Sequence, residues 1–152
     1  MNILIGADHR GFDLKNGIMQ SLKTTADSQN VNWIDIGCFS RKCCDYPVAA
    51  YDLVCALQKK QADLGVLLCG TGVGMAIAAN RFSGIYAALV WTPELARLAR
   101  EHDNANILVL PSDYLTIDQS VNLIQAWLGA SFEGGRHLRR IEQIDSFGGI
   151  KI

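Results

Sequence analysis

Short apolar runs alternate with longer stretches in which apolar residues recur every three or four positions, and this rhythm persists through most of the chain. The short runs are Asn2 to Gly6, Asn32 to Gly37, Asp63 to Cys69, Ile85 to Val90 and Asn106 to Leu110. Their apolar residues are largely consecutive, which marks strands buried on both faces of a parallel sheet. Between them, Phe12 to Leu22 carries helical spacing through Phe12, Leu14, Ile18, Met19 and Leu22. Pro47 opens a helix that reaches about Lys60, and Met75 to Phe82 reads as an Ala-rich helix. Thr92-Pro93-Glu94 is a cap, proline and acid start for a helix to about Glu101. Thr116 caps a helix to Leu128, and a short helical run to about Ile144 lies within the tail Gly129 to Ile152. Strict alternation of strand and helix predicts a parallel, right-handed α/β sheet with helices on both faces.

Composition narrows the partners. The chain has 152 residues, 49% of them hydrophobic and 19% charged, which suits one domain with a substantial core. A net charge of −1 gives no basic excess for nucleic acid, and the apolar runs are too short for a membrane span. The start, MNILIGADHRGF, lacks the sections of a signal peptide. Five cysteines (Cys38, Cys43, Cys44, Cys55, Cys69) without paired CxxC spacing argue against zinc and against a disulfide framework. Reduced thiols and a cytoplasmic location follow. Cys43 and Cys44 could form a vicinal oxidisable pair or be bystanders.

The chemistry concentrates in Leu64 to Phe82, which reads LGVLLCGTGVGMAIAANRF. Cys69 stands at a strand end, and Gly70, Gly72 and Gly74 alternate with Thr71 and Val73 before the helix. A glycine-rich turn offers several backbone N–H groups to one oxyanion, aided by the helix N-terminus. The same field is expected to lower the pKa of the Cys69 thiol. No Gly-Lys-Ser/Thr follows, and the third glycine comes too early for a dinucleotide fingerprint. The loop therefore suggests an anion site, unless it is only a tight connection beside a core cysteine.

In open α/β sheets, ligands bind outside the carboxyl ends of the strands. That rule gathers Asp8, His9 and Arg10 after strand one, Asp45 and Tyr46 after strand two, and Cys69 to Gly74 after strand three. His102 ends a helix before strand five, so topology assures its place there less, and the helix dipole could favour it without any catalytic role. Asp8 could instead cap the first helix, Tyr46 could pack, and Arg136, Arg139 and Arg140 could be solvated surface.

Five segments carry a more specific pattern: GADHRGF (Gly6 to Phe12), DYP (Asp45 to Pro47), LLCGTGVGMAIAAN (Leu67 to Asn80), REHDNAN (Arg100 to Asn106) and AWLGASFEGGRHLRRIE (Ala126 to Glu142). In order and spacing they resemble the ribose-5-phosphate isomerase type B family, which also includes galactose-6-phosphate isomerase subunits. The resemblance implies one domain over residues 1–152. Its fold would be a Rossmann-like three-layer sandwich with a five-stranded parallel sheet and a C-terminal helical tail. It also implies cofactor-free aldose–ketose isomerisation of a sugar phosphate, no metal, and a homodimer or tetramer with shared active sites. The tail from about residue 130 would contact the partner subunit.

By the same pattern Cys69 is the base, supported by Thr71, and Gly70, Gly72, Val73 and Gly74 supply backbone groups for an anion hole. His102 opens the sugar ring, Asp8 moves protons at the sugar oxygens, and Tyr46 lines the site. His9, Arg136 and Arg140 match phosphate-binding positions, and Asp103 a sugar-hydroxyl position. Two residues depart from the pattern: Asp113 stands where an arginine is expected, and Asp103 where an asparagine is common. Ribose 5-phosphate is the expected substrate. The alternatives are another sugar phosphate (allose, galactose or tetrose), a non-catalytic binding module, and a thiol redox protein using Cys69.

Overall fold

The computed structural model describes residues 1–24 and 31–149, so the last three residues of the predicted tail lie outside the described part. Its strands are β1 (Asn2–Ala7), β2 (Asn32–Asp35), β3 (Leu64–Cys69), β4 (Ala87–Leu89) and β5 (Ile107–Pro111). They form one parallel sheet in the order β2-β1-β3-β5-β4. The helices are α1 (Phe12–Thr24), α2 (Tyr46–Gln58), α3 (Val73–Ala79), α4 (Pro93–Asp103), α5 (Ile117–Leu128) and α6 (Arg136–Ser146).

Side chains of a strand alternate between faces, so each central strand must feed two cores. On β3, Val66 and Leu68 pack among Ile18, Ala96, Ile124 and Trp127 from α1, α4 and α5. Leu67 and Cys69 face the other way, onto Leu53, Val54, Met75 and Ala79 from α2 and α3. The result is the three-layer α/β sandwich expected from the sequence, with α6 packed beside α4.

The strands that came out shorter than their apolar runs are the two sheet edges. Regular strand ends at Asp35 in β2 and covers only Ala87 to Leu89 in β4, yet hydrogen bonds to the neighbouring strand continue beyond, from Ile36 N to the Ile5 carbonyl at 3.0 Å and from Val90 N to the Val109 carbonyl at 3.1 Å. The predicted caps are in place. Thr92 Oγ1 accepts from Leu95 N at 3.3 Å, and Thr116 and Gln119 form a reciprocal capping box. The α3 helix starts earlier than its Ala-rich segment, at Val73, because Gly72 turns the chain with φ +76°.

One polar group sits inside this framework. Lys15 of α1 is fully buried, and its ammonium donates to Asp35 Oδ1 at 2.5 Å and to the carbonyls of Gly37 and Cys38 at 3.0 Å each. Three acceptors satisfy all three N–H bonds of the ammonium. This fastens the loop after β2 to the body of the fold. Chain order reverses between β1 and β3, which opens the crevice at their carboxyl ends.

Candidate active site

Asp8 directly follows β1, and its Oδ1 accepts from the amides of Arg10 at 2.9 Å and Gly11 at 3.0 Å. Gly11 is required there, since a Cβ would come within 2.8 Å of the Leu68 carbonyl oxygen. Asp8 thus tightens the turn into α1, as the structural alternative held, yet it also lines a cavity. That cavity, about 170 Å³, is bounded by Asp8, Arg10, Tyr46 and the segment Cys69, Gly70, Thr71 and Gly74. Tyr46 opens α2 and lays its ring over Gly74, where a Cβ would meet it at 2.7 Å. Glycine at 74 is therefore a matter of room for an aromatic wall.

Cys69 ends β3 with its side chain only 4% exposed. The backbone N–H groups of Met75, Gly72 and Thr71 are directed at its sulfur. They favour thiolate, as the sequence suggested, but they do not win. Burial pushes the thiol pKa above its ordinary value, and the carboxylate of Asp8 adds to the rise. The expected lowering is therefore corrected: the loop amides limit the cost of burial without reversing it.

Behind the cavity, the Nδ1 of half-buried His9 donates to the Cys44 carbonyl at 3.1 Å, which fixes the ring without bringing it into the cavity wall. The cysteine that approaches Cys44 is Cys38, with sulfurs 2.8 Å apart, rather than Cys43. Burial, the hydrogen bond with Cys38 and nearby negative charge push the Cys44 thiol up to about 11. Val73 is exposed at the start of α3 and contributes its amide, 3.4 Å from Thr71 Oγ1.

Other candidates lie elsewhere in the same chain. Cys69 pairs with Pro111 at the end of β5, whereas His102 closes α4 just before β5 begins. His102 is thus at the opposite edge of the sheet. It stacks on His137, with centroids 4.2 Å apart and planes 9° from parallel, and Glu133 Oε2 lies 3.9 and 3.7 Å from the two rings. Arg136 Nε donates to His137 Nε2 at 3.2 Å, and Arg140 is exposed one turn along α6. Burial and the charges of His102, Arg136 and Arg140 push the His137 pKa down. Asp103 lines a separate cavity of about 420 Å³ with Tyr86 and Ile141. Among the described residues, His102, Glu133 and His137 have ligand atoms within 4.8 Å of one another, but the two arginines oppose a cation. One chain therefore assembles Asp8, Tyr46, Cys69 and the glycine loop, and leaves His102, Asp103, Arg136 and Arg140 apart.

Arg10, which the chain order gathers with Asp8 and His9 at the carboxyl edge, lies in the cavity wall and pairs with Asp113.

Residues 3–144 match the family model described as Ribose/Galactose Isomerase. The chain belongs to that family. It is 45% identical over 146 residues to a probable ribose-5-phosphate isomerase B of Mycoplasma genitalium, covering 94% of this chain and 93% of the relative. It is 41% identical to the ribose-5-phosphate isomerase B of Escherichia coli, covering 93% of each. Among solved structures, the ribose 5-phosphate isomerase of Thermotoga maritima superposes with a TM-score of 0.90 at 43% identity, covering 95% of this chain and 97% of that one. The Mycoplasma genitalium enzyme with bound ribulose-5-phosphate does so with a TM-score of 0.87 at 42% identity, covering 96% of this chain and 95% of that one. This member of the family is thus an isomerase by descent, built on a sheet whose carboxyl edge carries the thiol, carboxylate and glycine loop.

Proposed function

We propose that the chain interconverts ribose 5-phosphate and ribulose 5-phosphate through an enediolate. The observation that carries this reading is the meeting of the Cys69 thiol, the Asp8 carboxylate and an amide-rich loop in one cavity. Isomerisation needs a base that takes the C2 proton of the open-chain aldose and returns a proton at C1. It also needs donors for the oxyanion that develops between them. Cys69 is the base, as thiolate, and the N–H groups of Gly70 to Gly74 hold the oxyanion. Asp8 shuttles the hydroxyl protons, since its Oδ2 has no protein partner among the described residues. Thr71 lines the same wall, and Tyr46 excludes water.

The rest of the constellation comes from a second copy of the chain. His102 opens the sugar ring, and Arg136 and Arg140 with His9 hold the phosphate, in a homodimer whose sites are shared. Two observations support this. Within one chain His102 and the arginines stand at the far sheet edge from Cys69. Beside the cavity, α2 and α3 also expose Val48, Tyr51, Val73 and Ile77, apolar side chains available to a subunit interface. No helix among the described residues is long and apolar enough to cross a membrane. All five cysteines are free, which fits a reducing cytoplasm.

The test is a substrate panel of ribose, allose, galactose and erythrose phosphates beside the unphosphorylated sugars, following aldose-to-ketose conversion. Ribose 5-phosphate is expected to turn over fastest. Preference for another member would replace the substrate while keeping the chemistry, a reading favoured only by the altered charges at Arg10 and Asp113. Absence of any turnover would overturn the isomerase reading.

A further inference from the structure

The loops after β1 and β5 meet across the mouth of the Cys69 cavity. Arg10 Nη2 donates to Asp113 Oδ2, which joins residues 103 positions apart, and the pair lies directly over Gly70. A Cβ at Gly70 would come within 2.6 Å of Arg10 Nε and 2.9 Å of Asp113 Oδ2. The bare backbone at this position is thus what lets the pair rest on the glycine loop. Asp113 itself is fixed, its amide donating to the Gly70 carbonyl at 3.0 Å.

A surface ion pair between two long flexible side chains would be of little consequence. This one is different in place and in geometry. Among the described residues, Arg10 is the one cationic side chain in the cavity wall, which otherwise holds the Asp8 carboxylate, the Cys69 thiol, the Tyr46 ring, Thr71 and the bare loop at Gly70 and Gly74. One guanidinium nitrogen is taken by Asp113, while Nε and Nη1 have no protein acceptor among the described residues. The guanidinium has five N–H donors in a rigid fork, so a carboxylate on one edge orients the remaining donors. Asp113 left alone would repel an anion, and paired it turns Arg10 into a held, directional donor.

We propose that Arg10, clamped by Asp113 over Gly70, binds the phosphate of the sugar phosphate and sets which substrates fit. This rests on the isomerase reading, and deepens it by adding Arg10 of this chain's own loop to His9 and to the Arg136 and Arg140 of a second copy on the anion side of the site. The Arg10–Asp113 pair is itself near neutral, so recognition by it comes from direction rather than field strength. A substrate whose phosphate falls off the axis of the free N–H groups is disfavoured, and so is one lacking phosphate.

The experiment uses the full-length protein and four variants: Arg10→Ala, Arg10→Lys, Asp113→Asn and Arg10→Ala/Asp113→Asn. Arg10 and Asp113 side chains are 58% and 30% exposed, so these variants keep the fold. Two readouts are taken, steady-state kinetics on ribose 5-phosphate and calorimetric binding of inorganic phosphate. Arg10→Ala is expected to raise KM and the phosphate Kd by roughly 10- to 100-fold with kcat within about threefold, the loss of charge-assisted hydrogen bonds. Arg10→Lys keeps charge without the fork and recovers only part of both. The double variant, relieved of the unpaired Asp113 carboxylate, binds phosphate more tightly than Arg10→Ala.

A phosphate Kd and KM within twofold of the parent for Arg10→Ala would overturn the proposal. So would a fall in kcat alone, which marks a purely structural pair, or additive single and double effects. Calorimetry separates this outcome from failure of the isomerase reading. A protein that turns over no sugar but loses phosphate binding with Arg10→Ala still keeps the anion site.

Discussion

Replacing Lys15 by methionine removes a buried ammonium while keeping most of the side-chain volume, and the structure lets the cost be worked out. The ammonium is lost from a 2.5 Å bond to Asp35 and from two 3.0 Å bonds to Gly37 and Cys38. Breaking one partner of a buried pair costs about 3–5 kcal/mol when the other charge is left stranded. Here Asp35 is 27% exposed and still accepts from the Gly37 amide, and the Gly37 carbonyl still receives the Ala7 amide. Water and those donors soften the loss, so about 2–4 kcal/mol is expected, or roughly 5–15 °C in Tm. The assay is urea unfolding of the parent, Lys15→Met, Asp35→Asn and the double variant. The double variant should recover part of the loss, because no charge is then left without its partner. The loop fastened by Lys15 leads to Cys44, whose carbonyl holds His9, so KM should rise as well. A destabilisation under about 1 kcal/mol would refute the reasoning, since it would mean the ammonium is not satisfied where the geometry puts it.

Three further outcomes are expected. Gly72→Ala must adopt φ +76° and push against Leu89, costing about 1–2 kcal/mol in denaturant melts and lowering kcat/KM roughly tenfold as the Gly72 amide leaves the Cys69 sulfur. His137 has a depressed pKa, so its contribution to stability is present above its ordinary value of 6.5 and is lost as pH falls through the depressed one; thermal melts across that range should show it, and a His137→Gln variant should flatten the dependence. Tyr86 donates to both carboxylate oxygens of Asp145 at 2.7 and 2.8 Å, so Tyr86→Phe should speed amide exchange along α6 while leaving the strands protected, and unchanged exchange would mean the bond does not hold the helix.

The sheet and its helices were legible because consecutive apolar runs and helical spacing follow from burial on two faces or one. The excess length read into β2 and β4 has a physical origin. Trp33 to Ile36 and Ile85 to Val90 are apolar enough for strands, and their flanks do hydrogen-bond to the neighbouring strand, but outside the regular strand geometry. The glycine loop was legible as an amide-rich turn beside a thiol, whereas the direction of the thiol's pKa was not. Sequence shows which donors are near Cys69 but not how completely the residue is buried, and burial decides the sign. Nothing in the apolar pattern singles out Lys15, and only the packed structure reveals three acceptors converging on it. Likewise Cys38 and Cys44, six residues apart, meet because the loop between them closes, while adjacent Cys43 is exposed. His102 is a different case: its position before β5 left its place at the carboxyl edge less assured than that of the loop residues, and within one chain it stands apart from Cys69.

The central claim is that Cys69 is the base for proton transfer, and the measurement closest to it is the turnover of Cys69→Ala on ribose 5-phosphate at saturating substrate. Folding is checked by the parent's melting curve. In the parent, kcat/KM should rise with pH above neutrality, because the raised thiol pKa leaves little thiolate at lower pH. The variant should lose about a hundredfold to ten-thousandfold in kcat and that pH dependence with it. Turnover within about tenfold of the parent, with the same pH profile, would contradict the account and move the base to another group in the cavity.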